Sequence, residues 1–359
     1  MMNDRYSRQT VLPEITPEGQ NKLSHADVLC IGAGGLGCPA LLYLAAAGIG
    51  HLGIVDFDIV EESNLQRQIL FSTDQTGQNK ATAARDKLRA LNPAIHITAH
   101  AEELNEANAE DIFSGYDIII DGTDNFAAKF LINDTAVKCG KPLIYGSVSG
   151  FEGQVSVFNL QDGPCYRCLY PAPPQSYIPN CAEAGVIGAV AGLVGTQQAL
   201  QAIQIIVADE SFAPLTGKLW MIDAHDMQTQ CLTLPKNPSC PVCGLKKEQI
   251  VLEYSSPVCG FISEVTPEQA QENKEAVFID VREAHEWQAG HIAAAQHIPL
   301  SALSQNNIPD LPRDCDLILY CRSGKRSITA ARILLAEGYL NVYSMSGGYV
   351  EWSRLENHS

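Results

Sequence analysis

A glycine-rich segment, Gly32-Ala-Gly-Gly-Leu-Gly37, lies between an apolar run at residues 28–31 and a predicted helix at residues 39–47. Its G-x-G-x-x-G spacing lets the backbone approach a phosphate or a ribose closely, and the amino end of the following helix favours anions. Asp56 ends the next predicted strand, where a carboxylate can accept hydrogen bonds from ribose hydroxyls. The pattern predicts a nucleotide site, and by itself it favours NAD or FAD.

Polar and cationic residues further along the chain favour a different nucleotide chemistry. Asn64 and Arg67 lie in the segment Ser63-Asn-Leu-Gln-Arg-Gln68, and Lys80 opens a predicted helix at residues 80–91. Hydride transfer does not need several such groups near the phosphates. Transfer of an adenylyl group does, because negative charge builds on the α-phosphate and on pyrophosphate. Asp124 follows a predicted strand and offers the oxygen ligand that Mg²⁺ prefers. The alternative is that each of these charges is a solvated surface group.

Four cysteines form two Cys-x-x-Cys pairs, Cys165 with Cys168 and Cys240 with Cys243. Such pairs are typical of tetrahedral zinc. Four thiolates fill the coordination shell, so the predicted role of the metal is structural. The alternative is two unrelated pairs or a redox dithiol.

A second cysteine motif, Cys321-Arg-Ser-Gly-Lys-Arg-Ser327, follows an apolar strand and precedes a predicted helix at residues 328–338. A loop of this kind directs backbone N–H groups and a helix dipole at one point, which stabilises a thiolate or a persulfide on Cys321. Positive charge from Arg322, Lys325 and Arg326 adds to that effect. A cysteine phosphatase has Cys-x5-Arg, whereas Arg326 comes one position too early for that spacing. The persulfide loop is therefore predicted to comprise Cys321, Arg322, Ser323, Gly324, Lys325 and Arg326.

Cys181 follows a proline-rich segment and precedes a long apolar stretch at residues 184–195. A position at a helix amino end can lower a thiol pKa and favour the thiolate. The alternative is a small residue packed at a helix start.

The composition of the 359 residues excludes some functions. Hydrophobic residues make up 46% and charged residues 18%, which is typical of globular proteins, and the formal net charge of −17 argues against general nucleic-acid binding. The amino terminus has no apolar run, and the stretch at residues 184–195 is too short to span a bilayer. A chain with twelve cysteines and no secretion signal is expected in the cytoplasm, with metal-bound or reactive thiols and no membrane.

Strand and helix patterns alternate twice along the chain. Predicted strands at residues 28–31, 52–55, 116–120 and 142–145 are separated by predicted helices, which indicates a doubly wound α/β sheet of the Rossmann type. An antiparallel continuation is predicted at residues 153–158. After a polar stretch, strand and helix patterns begin to alternate again. We therefore predict an adenylyltransferase domain at 1–245, a linker at 246–261 and a small α/β domain at 262–359.

The first 245 residues resemble the ubiquitin-activating-enzyme superfamily, and most closely the sulfur-carrier adenylyltransferases of molybdopterin-synthase and thiamine pathways. The resemblance rests on Arg-Tyr-Ser-Arg-Gln, the glycine loop, Val-Asp-Phe-Asp, Ser-Asn-Leu-Gln-Arg-Gln, Lys80 and Asp-Gly-Thr-Asp-Asn. The ATP-binding residues that it implies are Gly32, Gly34, Gly35, Asp56, Ser63, Asn64, Leu65, Gln66, Arg67, Lys80, Asp124 and Asn125. Arg67 and Lys80 would be catalytic, and Asp124 would bind Mg²⁺. The resemblance also implies zinc at the four cysteines, a covalent role for Cys181, and a homodimer in which Arg8 completes the partner's site.

The last hundred residues resemble a rhodanese domain, through the Cys321 loop, Asp280-Val-Arg-Glu283, Gly290-His-Ile292 and Gly347-Gly-Tyr-Val-Glu-Trp352. The resemblance implies that Asp280 and Arg282 organise the loop, and that His291 is structural.

Together these features predict an enzyme that adenylates a ubiquitin-like sulfur carrier ending in Gly-Gly and then transfers sulfur from Cys321 to it. The sulfur donor would be a cysteine desulfurase or thiosulfate. The carrier could serve molybdenum cofactor or thiamine synthesis, tRNA thiolation or protein conjugation. Three other interpretations remain: an NAD- or FAD-dependent oxidoreductase, a sulfur-binding scaffold with an idle adenylation site, and an adenylyltransferase with a regulatory rhodanese domain.

Overall fold

The computed structural model describes residues 4–172, 185–252, 262–304 and 307–356. The described chain divides into two compact units. The first holds the described residues up to Leu252 and the second those from Ile262 onwards, and each has its own hydrophobic core.

The first unit contains an eight-stranded sheet of order β3-β2-β1-β4-β5-β6-β7-β8. Its strands are β1 Asp27–Ile31, β2 His51–Val55, β3 His96–His100, β4 Ile118–Asp121, β5 Leu143–Ser149, β6 Glu152–Phe158, β7 Lys218–Asp223 and β8 Gln228–Thr233. Its helices are α1 Ser7–Thr10, α2 Thr16–Leu23, α3 Gly37–Ala47, α4 Lys80–Leu91, α5 Ala109–Ser114, α6 Phe126–Cys139, α7 Tyr166–Leu169 and α8 Gly188–Val207.

Parallel pairing joins β3, β2, β1, β4 and β5, and antiparallel pairing continues the sheet through β6 to β8. The chain runs outwards from β1 to β3 on one side and then returns to place β4 on the other side of β1. The carboxyl ends of β1 and β4 therefore flank a topological switch point, which is where open α/β sheets bind ligands.

Helix α8 is long and apolar enough to cross a membrane by length and composition. It is half-buried and packs against α3, β5 and β6, as the core helix of a globular domain does. It is longer than the apolar stretch that predicted it, because the polar side chains of Gln198 and Gln201 are buried and bonded within the fold.

The second unit is a five-stranded parallel sheet of order β11-β10-β12-β13-β9. Its strands are β9 Ser263–Val265, β10 Val277–Asp280, β11 Gln296–His297, β12 Leu317–Tyr320 and β13 Val342–Met345. Its helices are α9 Pro267–Glu272, α10 Ala284–Gln288, α11 Leu300–Leu303, α12 Lys325–Ala336 and α13 Gly348–Glu356.

The strands that the sequence predicted are present, and the antiparallel continuation after β5 is confirmed. The sequence pattern did not indicate β3, β7, β8, β9, β11 or β13. Strand β3 carries two histidines and a threonine, and every residue of β8 is exposed, so neither has a clear apolar alternation.

The first seven residues of the predicted linker pack on the first unit. Ile250 and Leu252 are buried against Val137 and the four paired cysteines. The charged residues at 246–248 obscured this short apolar alternation. The rest of the predicted linker, residues 253–261, lies outside the described residues.

The contact between α8 and the start of α3 predicts a sharp contrast between two glycines of α8. A Cβ atom at Gly195 would lie 2.2 Å from the Leu36 carbonyl oxygen, whereas one at Gly192 would meet nothing within 4 Å. We expect Gly195→Ala to destabilise the first unit by about 1–3 kcal/mol. Gly192→Ala should leave the unfolding free energy unchanged or raise it by up to ~1 kcal/mol. Scanning calorimetry of the full chain measures both, and equal effects of the two variants would contradict the packing.

Candidate active sites

The glycine loop is held tightly at the switch point. Gly32 has φ +89°, and a Cβ atom there would lie 2.9 Å from the Gly122 carbonyl oxygen. A Cβ atom at Gly37 would lie only 1.9 Å from the Gly32 carbonyl oxygen. Because Gly122 follows β4, the loop after β1 and the loop after β4 form one continuous surface. The amino end of α3 lies at this surface, where the helix dipole favours an anion.

Asp56 ties the end of β2 to the glycine loop. Its carboxylate accepts hydrogen bonds from the backbone N–H of Ala33 at 2.7 Å and of Asp58 at 3.0 Å. Burial raises the pKa of this carboxyl, and the nearby Lys80 opposes that shift. The remaining lone pairs of Asp56 can accept hydrogen bonds from ribose hydroxyls.

Lys80 begins α4 and is 6% exposed. Its Nζ donates to Asp58 Oδ2 at 3.0 Å. Sequence reasoning missed Asp58, although it lies two residues after Asp56. The ion pair holds the Lys80 ammonium group beside the loop. Because Asp58 is half-exposed, a phosphate oxygen can replace the Asp58 carboxylate as the partner of Lys80.

The segment from Ser63 to Gln68 approaches the glycine loop from outside. The aliphatic part of Arg67 lies against Gly35, and its Nη1 donates to the Ser63 carbonyl oxygen at 3.1 Å. Asn64 and Gln68 are buried, yet within the described ranges Asn64 Oδ1 and Gln68 Oε1 have no hydrogen-bond partner. Buried polar atoms without partners mark places where a ligand or water completes the bonding. Gln68 was not among the predicted residues.

The predicted metal residue and its neighbour have different environments. Asp124 is exposed beyond the end of β4. Asn125 is the N-cap of α6, and its Oδ1 accepts from the Ala128 N–H at 2.8 Å. The Asn125 side chain is therefore already used in starting the helix, whereas the Asp124 carboxylate is open to a cation. The cap fixes the start of α6 directly after Asp124.

A buried ion pair that sequence reasoning missed supports this loop. Lys129 Nζ lies 2.8 Å from Asp121 Oδ2 and also donates to the Gly146 carbonyl oxygen. The other carboxylate oxygen of Asp121 accepts from the N–H and the hydroxyl of Thr123. The pair thus joins β4, β5 and α6 under the Thr123–Asp124 turn. The sequence predicted this helix only from residue 130 to residue 139, so Lys129 fell just outside it and the pair gave no signal.

Arg8 lies apart from these residues within one chain. The adjoining Gln9 bonds the carbonyl oxygen of Ala47 at the carboxyl end of α3, whereas the glycine loop lies at the amino end. Arg8 itself is exposed. The structure therefore does not bring Arg8 to the glycine loop of its own chain.

The four paired cysteines come together as predicted. Their Sγ atoms all lie within 4.8 Å of one another, with Cys165 to Cys240 and Cys168 to Cys243 both at 3.5 Å. These distances are too long for disulfides. They are close to the ~3.8 Å expected between ligands of a tetrahedral ion with metal–sulfur bonds of ~2.3 Å. The donor set and its size fit a metal ion that has no open position.

Cys181 lies outside the described residues, so its predicted covalent role stays a prediction.

Cys321 follows β12 and is 1% exposed. Its Sγ accepts from the Arg326 backbone N–H at 3.2 Å and lies 3.8 Å from the Ser327 hydroxyl. The positive φ of Gly324, +95°, turns the chain so that α12 begins with its amino end at the sulfur. This geometry stabilises negative charge on Cys321 or on a sulfur atom bound to it.

A carboxylate neutralises one of the cations around this loop. Glu286 binds the guanidinium of Arg326 with two bonds of 2.6 and 2.7 Å. The arginine lowers the pKa of Glu286 from its ordinary value of 4.5 to about 2. The ion pair is therefore complete at neutral pH, and its contribution to stability is full above pH 4.5, declines below that value and is lost as the pH falls through about 2. Of the predicted cations, Arg322 is exposed and Arg326 is paired.

Asp280 and Arg282 form a buried pair at the end of β10, next to β12 in the sheet. Arg282 also donates to the Gly290 carbonyl oxygen at 2.6 Å and stacks over the Tyr349 ring. The Tyr349 N–H donates to the Cys321 carbonyl oxygen at 2.8 Å. Arg282 thereby connects β10 to the backbone of the cysteine loop.

His291 lies outside that network. Its ring stacks on Trp287 with the centroids 3.5 Å apart, and its Nδ1 lies 3.1 Å from the Trp287 carbonyl oxygen.

Comparison with known proteins agrees with both sites. The ThiF family matches residues 6–242, and the rhodanese-like domain matches residues 266–355. A probable adenylyltransferase/sulfurtransferase, MoeZ of Mycobacterium tuberculosis, is 41% identical over 98% of this chain and 92% of its own length. The sulfur carrier protein adenylyltransferase of Thermus thermophilus is 44% identical over 72% of this chain and 96% of its own. The adenylyltransferase and sulfurtransferase MOCS3 of Culex quinquefasciatus is 36% identical over 98% of this chain and 87% of its own.

Among solved structures, E. coli MccB with ATP superposes with a TM-score of 0.60 at 24% identity, covering 68% of this chain and 75% of that one. This similarity supports the fold of the first unit. The chain belongs to the ThiF family, as an adenylyltransferase joined to a rhodanese-like sulfurtransferase domain. The predicted fold class and enzyme class are confirmed.

The buried Asp121–Lys129 pair gives a testable stability difference. Replacing Lys129 with Met leaves a buried carboxylate without its partner, which costs about 3–5 kcal/mol. We expect the melting transition of the first unit to fall by roughly 6 °C or more.

The matched control is Lys138→Met in the same helix, where Lys138 pairs with Glu110 at the surface. That change should cost less than ~1 kcal/mol. Scanning calorimetry of the three proteins compares them, and similar transitions for Lys129→Met and the parent chain would refute the proposed support.

Proposed function

We propose that this chain adenylates the C-terminal glycine of a ubiquitin-like sulfur carrier with ATP and then replaces the adenylate with sulfur carried on Cys321. The observation that carries the proposal is the joining of two complementary sites on one chain. The nucleotide site prepares a good leaving group, and the cysteine loop prepares a good nucleophile. The names of relatives that match 98% of the chain combine the same two activities.

In the first step, the carrier carboxylate attacks the α-phosphorus of ATP and pyrophosphate leaves. Asp56 and the loop around Gly35 hold the nucleoside part. Asn64, Arg67 and Lys80 bind the phosphates, where their donors meet the charge that develops during attack. Release of Lys80 from Asp58 supplies a cation that is already in place. The unpaired Asn64 Oδ1 and Gln68 Oε1 support a ligand in this cleft.

Asp124 is the residue that would hold Mg²⁺, since its carboxylate is exposed at the cleft and oxygen is the ligand this ion prefers. The ion would neutralise phosphate charge. Ser63, Leu65, Gln66 and Gly34 would line the nucleotide, and Asn125 would act through the N-cap that fixes Asp124.

In the second step, the outer sulfur of a Cys321 persulfide attacks the acyl-adenylate carbonyl and AMP leaves. The product is an acyl disulfide between the carrier and Cys321. Two electrons from a thiol reductant then cleave the S–S bond and give the carrier thiocarboxylate and the Cys321 thiol. Cys181 could carry the acyl group or resolve the disulfide. A tether between the two sites raises their effective concentration.

A homodimer would supply the residue that one chain lacks. Arg8 lies away from the glycine loop of its own chain, and in this proposal it serves the site of the partner subunit. The adjoining helices α3 and α8 expose Tyr43, Leu193 and Leu200, and Val11 and Leu12 are exposed beside Arg8. An apolar surface on packed helices suits a second copy of this chain.

We propose zinc as the ion at Cys165, Cys168, Cys240 and Cys243, with a structural role. Four thiolates leave no position for a substrate. The cluster joins the segment after β6 to the end of the first unit, where Ile250 and Leu252 pack on it. Thiolate ligands and a reactive persulfide both need a reducing compartment, which supports the cytoplasm.

Elemental analysis of the purified chain should find one zinc ion per chain. Cys243→Ser is expected to lose most of the zinc and to lower the melting transition of the first unit, because ligand loss removes metal-binding free energy from the fold. Cys231→Ser, at an exposed cysteine on β8, should retain the zinc and the melting transition of the parent chain. Retention of zinc by Cys243→Ser would exclude the four-thiolate site.

The decisive experiment is intact-mass analysis of a Gly-Gly carrier incubated with the chain, Mg-ATP, thiosulfate and a thiol reductant. The carrier should gain the mass that corresponds to replacing one carboxyl oxygen by sulfur. We expect Lys80→Ala to slow pyrophosphate release about a hundredfold or more. Cys321→Ser should release pyrophosphate normally but give no thiocarboxylate.

Lys87→Ala, at an exposed position of α4, and Cys231→Ser are the matched controls. Thiocarboxylate formation by Cys321→Ser would show that the second domain is regulatory. Full turnover by Lys80→Ala would show that the adenylation site is idle. Replacing thiosulfate with candidate donor proteins in the same assay identifies the sulfur donor. Testing different Gly-Gly carriers identifies the pathway that the carrier serves.

A further inference from the structure

The guanidinium of Arg326 is the charged group whose place beside Cys321 is best defined. Its backbone N–H bonds the Cys321 sulfur, so the side chain starts at the edge of the reacting loop. Glu286 holds the guanidinium through both carboxylate oxygens. The side chains of Arg326 and Glu286 are 35% and 19% exposed, so the pair is accessible from solvent.

The position of Glu286 is itself fixed. It is the third residue of α10, and its carboxylate also accepts from the Glu283 N–H at 3.3 Å, in a capping box. Glu286 is therefore held before any donor arrives, and the orientation of Arg326 follows from it.

Arg282, which follows the end of β10, is neutralised in the same way. Arg282 is bound to Asp280 and to the Gly290 carbonyl oxygen. Two carboxylates thus offset two guanidinium groups near a sulfur atom that accepts from the Arg326 backbone N–H. Arg322 is exposed in the same loop, so Glu286 reduces the positive charge offered to a second anion without removing all of it.

We propose that Glu286 is a specificity-determining residue of the sulfurtransferase site. By withholding the Arg326 guanidinium, it disfavours the thiosulfate dianion and favours a thiol persulfide presented by a donor protein. This inference rests on the proposed role of Cys321 as the sulfur acceptor.

Both donors react by the same exchange at Cys321. The thiolate attacks the outer sulfur of the donor and the donor S–S bond breaks. Thiosulfate leaves as sulfite with two negative charges, whereas a persulfide RS–SH leaves as a thiolate that takes up one proton. Only thiosulfate brings two negative charges to the loop, so only its binding depends strongly on a free guanidinium.

The test compares two small donors of different charge, thiosulfate with two negative charges and benzenethiosulfonate with one. Cyanide is the acceptor and thiocyanate formation is measured with the full chain. Because Coulomb energy scales with donor charge, we expect Glu286→Gln to lower the KM for thiosulfate about tenfold and for benzenethiosulfonate about threefold. The kcat for each donor should change little.

The double variant Glu286→Gln with Arg326→Gln should lose this gain, since no guanidinium is released. Glu283→Gln, in the same capping box but without contact to Arg326, is the control and should keep the parent KM for both donors. An unchanged thiosulfate KM in Glu286→Gln, or an equal fall in kcat with both donors, would show a merely structural role and overturn the proposal.

Cys321→Ser separates this inference from the function on which it rests. It should abolish thiocyanate formation with both donors. If activity survived in Cys321→Ser, the assignment of the sulfur-carrying residue would fail, whatever the effect of Glu286→Gln.

Discussion

The contact between the glycine loop and Gly122 determines the geometry of the nucleotide site. Side chains at Gly32 or Gly37 would collide with backbone carbonyl oxygens, so two strand ends can meet only where glycine is present. Asp56 then bonds the loop from the end of β2. The Asp121–Lys129 pair supports the facing loop from below. The amino end of α3 lies beside this contact, and its helix dipole favours a phosphate-sized anion.

The cysteine loop uses the same elements to stabilise negative charge. A parallel strand ends, a glycine with positive φ turns the chain, and a helix begins with its amino end at the reacting atom. In the first unit the anion belongs to a ligand, whereas in the second it is a sulfur atom of the protein. In the proposed function, the first site uses a releasable cation such as Lys80, and the second uses the Arg326 backbone N–H.

Ion pairs lie beside the glycine loop and beside the cysteine loop of this acidic chain. Lys80 is bound to Asp58, Arg282 to Asp280, and Arg326 to Glu286. Each cation is thereby kept in place at neutral pH without leaving a buried charge unmatched. The exposure of the carboxylate partner separates their roles. Asp58 is half-exposed, so in the proposed function a phosphate displaces it, whereas Asp280 is fully buried and keeps Arg282 bound.

Patterns in the amino-acid sequence were enough to predict the two α/β units, the nucleotide and cysteine loops, and the pairing of cysteines into one cluster. Glycine spacing, Cys-x-x-Cys pairs and apolar strands are local patterns, and local patterns constrain backbone geometry directly. The partners in each ion pair became clear only from the tertiary structure. Asp58 and Glu286 lie far along the chain from the groups they serve, and Lys129 lies just outside the predicted helix. Their roles follow from distances of a few ångströms between elements, which depend on how the strands and helices pack and not on spacing in the chain.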